Sequence, residues 1–317
     1  MSIELSVVVP VYNEEENIPE LHRRLAAVLA PLVRSYEIVF VDDGSADRTW
    51  SVVGELAAAD PHVKGLSFSR NFGHQAAFTA GLDHAGGEAV VIMDADLQDP
   101  PELLPELVAK WREGYDVVYA QRSRREGETA FKLVTAAAFY RLLQRLTQVD
   151  VPVDTGDFRL MSGKAVEAFR RLPERHRFTR GLVAWMGFRQ IGVQYVRAAR
   201  RAGETKYTMR KMLRLATDGL TAFSRLPLLA ALWTGVALVG VGALGALGFV
   251  AARLSGTYVS GLWGLAAGVL ALAGVQLVGL GLLGEWVGRI YEEVKGRPLY
   301  LVQATANLGS QPVARRR

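Results

Sequence analysis

The sequence predicts an α/β protein with a mostly parallel sheet, followed by a two-helix membrane hairpin. Three observations carry that expectation. Short β-branched runs alternate with helical patterns over residues 1 to about 125. Polar clusters fall at the C-terminal ends of those runs, where parallel sheets bind ligands. Two long stretches without charge then fill much of the second half of the chain.

The strands are expected at Leu5–Val11, Glu37–Val41, Lys64–Phe68, Ala89–Met93 and Asp116–Ala120. Helical patterns lie between them, at Glu14–Leu32, Asp47–Ala58, His74–His84 and Pro101–Trp111. Strands this apolar suit a sheet covered by helices on both faces. The chain of 317 residues has no cysteine, so disulfides and thiolate metal sites are excluded. Its five histidines lack the spacing of a zinc site. A net charge of +5 is too mild for a nucleic-acid binder, and none is expected as a partner.

The most telling stretch is Val90-Val-Ile-Met-Asp94-Ala-Asp96-Leu-Gln98-Asp99. Buried carboxylates need a charge partner. Residues i and i+2 of a strand point the same way, so Asp94 and Asp96 are expected to share one ligand. Hard ions such as Mg²⁺ or Mn²⁺ accept one or two carboxylates, with phosphate oxygens and water completing the shell. Gln98, one pleat further on, offers another oxygen. The helix that follows has its own expected cap in Asp99-Pro-Pro-Glu102, which frees Asp94 and Asp96 for a metal–diphosphate. Asp42 and Asp43, with Gly44-Ser45, exceed what a helix start requires and suit a ribose or base edge; Ser45 or Asp47 alone would serve as the cap.

The uncharged stretches run from Leu226 to Ala252 and from Leu254 to Gly284, the second with Gln276 as its strongly polar residue. Each exceeds the ~20 residues of a spanning helix, and spans are expected at about 226–252 and 260–284. Basic residues flank the outer ends and the loop carries only Arg253, so both termini are expected on the cytoplasmic side. The first residues have no basic region typical of a cleaved signal peptide. The expected organisation is a cytoplasmic domain at 1–225, the spans within 226–288, and a cytoplasmic tail at 289–317. Gly279-Leu-Gly-Leu-Leu-Gly284 matches a dinucleotide fingerprint but follows no strand. It and the pairs Gly264/Gly268 and Gly284/Gly288 read instead as helix-packing sites through which copies of the chain associate.

Amphipathic patterns at about 129–148 and 207–225 suit the membrane interface. Arg122, Arg124, Arg125 and Lys132 are candidates for holding an acceptor phosphate beside the membrane lipids.

Val8-Val-Pro-Val-Tyr-Asn-Glu-Glu15, Val41-Asp-Asp-Gly-Ser45, Met93-Asp-Ala-Asp-Leu-Gln-Asp-Pro-Pro-Glu102 and Gly203-Glu-Thr-Lys-Tyr207 together resemble the family 2 glycosyltransferases of GT-A fold. Within them the chain is similar to the polyprenyl-phosphate (dolichol-phosphate-like) sugar transferases of the GtrB/ArnC type, over nearly its whole length. The resemblance implies inverting transfer of a sugar from a nucleotide-diphosphate sugar, a UDP-sugar in preference to a GDP-sugar, to undecaprenyl or another polyprenyl phosphate. It implies a nucleotide pocket from Pro10, Tyr12, Glu14, Asp42 and Asp43, with Asp94 and Asp96 at the metal and diphosphate. It places Asp157 near the reacting centre, and Arg200 and Lys206 in a segment that closes on the diphosphate. A GDP-mannose-dependent mannose synthase is the alternative, and a non-catalytic nucleotide-sugar-binding subunit a more distant one. The QxxRW motif of processive synthases is absent from the sequence. So is the glycine-rich, arginine-containing N-terminal loop of a nucleotidyltransferase.

Overall fold

The computed structural model describes residues 3–122, 155–175, 177–195 and 262–308, with isolated positions at 233, 234, 237, 254 and 255. Arg124, Arg125, Lys132, Arg200, Lys206 and both expected amphipathic stretches lie outside the described residues, as does the span at 226–252 apart from those isolated positions. The chain divides into two compact units, residues 1–216 with 298–317, and residues 217–297.

The first unit is built on one eight-stranded sheet. Its strands are β1 (Ile3–Val11), β2 (Tyr36–Asp42), β3 (Val63–Phe68), β4 (Gly87–Ile92), β5 (Val117–Arg122), β6 (Thr155–Ser162), β7 (Gln190–Tyr195) and β8 (Val302–Ala306), in the order β7-β5-β6-β4-β1-β2-β3-β8. Strands β1 to β4 are mutually parallel, and β7 is parallel to β5. Strand β6 runs against both β4 and β5, and β8 against β3. The C-terminal ends of β1 to β5 and β7 therefore share one edge, and the antiparallel β6 starts at it.

Burial explains why β1 is apolar along its length. Every residue from Glu4 to Val11 is buried, so both faces of the strand are covered. Helix α1 (Ile18–Leu32) lays Ile18, Leu21, Leu25 and Leu29, all fully buried, on one side of the core. At about 1.5–3 kcal/mol for each large apolar side chain removed from water, this stripe and β1 carry much of the stability of that half. Helices α2 (Thr49–Ala59), α3 (His74–His84) and α4 (Leu104–Arg112) follow β2, β3 and β4, as the sequence predicts. Helices α5 (Gly163–Arg170) and α6 (Thr179–Trp185) separate β6 from β7. Arg170 caps the C-terminal end of α3 by donating to Leu82 O and to Ala85 O at 2.8 Å.

Strands β6, β7 and β8 are absent from the expected set. β8 is held by more than its ladder. The Tyr300 ring stacks on Phe68 with centroids 5.1 Å apart, and its hydroxyl donates to Asp83 at 3.1 Å. The Asn307 side chain donates to Ala57 O and Val63 O at 2.5 and 3.0 Å.

In the second unit, helix α7 (Leu262–Val294) runs for 33 residues, and its sequence is uncharged from Leu262 to Gly284. Arg289 and Glu285 pair one turn apart near its end, at 3.0 Å. Counting only the described positions, no helix is long and apolar enough to cross a membrane.

Candidate active site

The loops at the shared sheet edge are cross-tied. Asn13 N donates to Ser45 Oγ at 2.9 Å, and Ala46 N donates back to Asn13 Oδ1 at 2.9 Å. Glu14 N donates to Thr49 Oγ1 at 2.9 Å. These bonds lock the turn after β1 to the turn after β2. Ser45 is thereby spent on the neighbouring loop and does not cap α2; Asp47 accepts from Thr49 N at 3.0 Å, while Arg48 stands at the cap position. Pro10 pairs in register with Val41 at the end of β1, and Tyr12 just beyond is 40% exposed on the same edge.

Asp42, the last residue of β2, and Asp43 just beyond it both hold loops. Asp42 accepts from Ser45 N at 3.0 Å and Ser67 Oγ at 2.8 Å. Asp43 accepts from Phe72 N at 2.7 Å and from Gly73 N at 2.9 Å, just before α3 begins. Burial pushes the Asp43 carboxyl up, and the two amide bonds partly oppose it. Gly44, which follows them, has φ +69°, and a Cβ there would meet Arg70 C at 2.4 Å, so only glycine fits.

Strand β4 ends at Ile92, one residue short of the expected limit. Asp94 and Asp96 lie in the irregular segment beyond it, so the pleat alternation that motivated their pairing, and that of Gln98, does not operate there. They are neighbours all the same: burial, and then the charges of Asp157 and Asp96, raise the Asp94 carboxyl, against the pull of His74. Between Asp96 and Gln98, Leu97 has φ 58°. A branched residue in that region costs about 1–3 kcal/mol, which the surroundings must supply. Gln98 contributes its backbone N–H to Asp96 Oδ1 at 3.2 Å.

Asp99 is not a helix cap. It is 1% exposed and accepts the Tyr195 hydroxyl at 2.6 Å, while Glu102 pairs with Arg24 across the surface. The first turn after it starts at Pro101 without a side-chain cap. A buried phenol close by is a stronger attraction for Asp99 than amides that water can satisfy.

Asp157, at the start of β6, is brought to this edge by the antiparallel pairing of β6 with β4. Its buried carboxyl meets Arg180 Nε at 3.0 Å and His74 Nε2 at 3.3 Å, with Arg159 Nη2 at 3.9 Å. Burial opposes ionisation, yet the Arg180 charge, the His74 hydrogen bond and Arg159 hold Asp157 well below the usual carboxylate range. His74 Nε2 also lies 3.7 Å from Asp94 Oδ1. Burial alone would lower its pKa, but Asp157 and Asp94 raise it to about 9, so it is cationic at neutral pH. Arg159, fixed to Gly156 O at 2.9 Å, is drawn by burial down to about 10 and still carries its charge.

The structure thus gathers Asp94, Asp96 and Asp157 at one edge and adds His74, Arg159 and Arg180, which the sequence reading does not contain. His74 stands at the end of the third strand's loop, so the strand-end rule applied to β3 would have found it. Arg180 pairs across 23 positions with no local pattern to announce it. Of the candidate acceptor ligands, Arg122 is described in its backbone, the last residue of β5, paired with Tyr195 of β7.

The sequence profile of "Glycosyl transferase family 2" matches residues 6–170. The chain is 49% identical over 314 residues to "Uncharacterized glycosyltransferase YkcC" of Bacillus subtilis, covering 99% of this chain and 97% of that one. It is 43% identical to the "SfII prophage-derived bactoprenol glucosyl transferase" of Shigella flexneri, over 95% of this chain and 98% of that one. It is 42% identical to the "Prophage bactoprenol glucosyl transferase homolog" of Escherichia coli K12, over 95% and 99%. With a profile spanning half the chain and relatives this similar over nearly all of it, the protein is a member of glycosyl transferase family 2.

Proposed function

We propose that the protein transfers a sugar, glucose from UDP-glucose in the first instance, to a polyprenyl phosphate such as undecaprenyl phosphate at the cytoplasmic face of a membrane. The observation that carries this reading is the convergence of Asp94, Asp96 and the anchored Asp157 at one sheet edge. The names of the 42–43% identical relatives support the lipid acceptor and the glucosyl group.

The donor set fits a hard divalent ion. Burial raises the Asp94 carboxyl, and the charges of Asp157 and Asp96 add to it against the pull of His74; a cation beside these carboxylates would relieve that repulsion. Among the described residues no group of three or more His, Asp and Glu forms a complete metal cage. Asp94 and Asp96 would hold Mg²⁺ or Mn²⁺, with donor phosphate oxygens and water completing the shell. When bound, the ion would neutralise charge on the leaving diphosphate.

The protein's own groups then orient and hold. Tyr12 and Glu14 flank the nucleotide, and Asp42 and Asp43 keep the loops around it in shape. A phosphate monoester has a second pKa of about 6, so the acceptor oxygen arrives largely ionised and needs no general base. Asp157, kept anionic by Arg180 and His74, works as an orienting group beside the anomeric carbon. Direct displacement by the lipid phosphate inverts that carbon. Arg122, with Arg124, Arg125 and Lys132, is assigned to the acceptor phosphate, and Arg200 and Lys206 to the diphosphate.

The membrane hairpin belongs to the same proposal. The sequence supports it: Leu226 to Ala252 and Leu254 to Gly284 carry no charged residue, and each stretch exceeds the ~20 residues that span a bilayer core. Among the described residues nothing lies within 4 Å of a Cβ placed at Gly284 or Gly288, and small residues at this spacing suit close approach by another helix and association of copies.

The test is to incubate membranes carrying the protein with undecaprenyl phosphate and a panel of radiolabelled sugar nucleotides. Label should move from UDP-glucose into an organic-phase lipid in a Mn²⁺- or Mg²⁺-dependent manner. If no nucleotide sugar labels lipid under any metal, the reading is wrong.

A further inference from the structure

The acidic loop after β4 has an unusual problem. It holds a strained residue, Leu97, with φ 58°, and it follows no regular ladder after Met93 N donates to Val8 O at 3.1 Å. A loop that must keep two carboxylates in one place needs a fixed point on its far side. Asp99 is that point: it is 1% exposed, and Tyr195 donates its hydroxyl there at 2.6 Å. Tyr195 is itself held. It is 6% exposed, its ring stands edge-on to Phe158 at 6.2 Å, and it closes β7 opposite Arg122 of β5.

That position has a consequence for the whole site. In the sequence, Arg200 and Lys206 follow Tyr195, and Arg124, Arg125 and Lys132 follow Arg122. The hydrogen bond from Tyr195 therefore ties the loop that carries Asp94 and Asp96 to β7 and, through the Arg122–Tyr195 register pair, to β5.

We infer that Tyr195 is a positioning residue: through Asp99 it holds the acidic loop in its strained, ligand-ready form and in register with the ends of β5 and β7. The inference rests on the reading of Asp94 and Asp96 as metal and diphosphate ligands, but its first consequence needs no ligand.

The test uses the full-length protein in detergent and the variant Tyr195→Phe, which removes one oxygen. Hydrogen exchange is read at the Gln98 amide, which donates to Asp96, without ligand; binding of Mn²⁺ with UDP-glucose is read by calorimetry. Loss of one buried hydrogen bond corresponds to about tenfold, so exchange at Gln98 should quicken, and the apparent Kd should rise, by about that factor. The thermal midpoint should stay within a few degrees of wild type. Asp99→Asn, which keeps an accepting Oδ1, should retain most of the wild-type protection. Unchanged exchange in Tyr195→Phe overturns the inference, and so does a variant that loses its fold, since Tyr195 would then hold the core and not the loop. Altered exchange in a protein whose wild type binds no nucleotide sugar upholds the positioning role of Tyr195 and refutes the functional reading instead.

Discussion

Replacing Arg180 with methionine tests the arrangement around Asp157. The guanidinium lies 3.0 Å from a carboxyl that is 8% exposed, while Arg180 itself is 24% exposed. At that separation the pair attraction is about 5.5 kcal/mol for an effective dielectric near 20 and about 1.4 kcal/mol in bulk water. Removing one partner of a buried pair costs about 3–5 kcal/mol. Here His74 and Arg159 remain beside Asp157, at 3.3 and 3.9 Å, and the arginine edge is partly wet. The net loss should therefore be about 2 kcal/mol, or a Tm lower by about 4–8 °C for a unit of this size. The pH dependence has a definite sign. Asp157 is depressed in the folded state, so the stability it contributes is present above the unfolded carboxylate range and is lost as pH falls through its lower folded value. The Tm gap between wild type and Arg180→Met should thus be full at neutral pH and close only well below pH 4. Differential scanning fluorimetry across pH, with a double-mutant cycle to Asp157→Asn, measures it. Transfer should fall about a hundredfold while donor affinity changes several-fold at most. An additive cycle, or a gap that does not depend on pH, would refute the coupling.

Asp96→Asn should reduce metal-dependent transfer to below about 1% of wild type with an unchanged circular dichroism spectrum; near-normal turnover would remove the metal role. Gly44→Ala places a methyl against Arg70 at a left-handed φ and should cost about 3 kcal/mol in denaturant unfolding. Arg122→Ala should raise the acceptor KM about tenfold with little change for the donor, and a donor-only effect contradicts the assignment. Asn307→Ala removes two bonds to backbone carbonyls and should expose the C-terminal segment to limited proteolysis, at a stability cost of about 1–2 kcal/mol.

The legible part of the fold was the part whose physics is local. Strands β1 to β5 are short apolar runs between helical patterns, and each stands within a residue or two of its expected place. β6 was hidden because Asp157 and Arg159, buried and mutually compensated, interrupt what would otherwise read as an apolar run. β8 was hidden because its sequence, Val-Gln-Ala-Thr-Ala, alternates weakly and pairs with a strand far away in the chain. At the site, Asp94 and Asp96 declared themselves by being acids at the end of a core strand. His74 and Arg180 did not, since a lone histidine and an arginine among other basic residues acquire meaning only when the sheet brings them to Asp157. The assignment of Asp99 to a cap failed for a similar reason: its hydrogen-bond partner is 96 positions away.

Strand β8 also sets a timetable. The outer edge of β3 offers unpaired amides and carbonyls until residues 302–306 arrive, and the ribosome makes those only after α7. During synthesis the nascent catalytic half must therefore wait, one border open to stray pairing, while the greasy helix is produced. Completion of the sheet thus reports that translation has passed the helix, and a chain broken off before residue 302 would carry a sticky border and be a ready target for quality control.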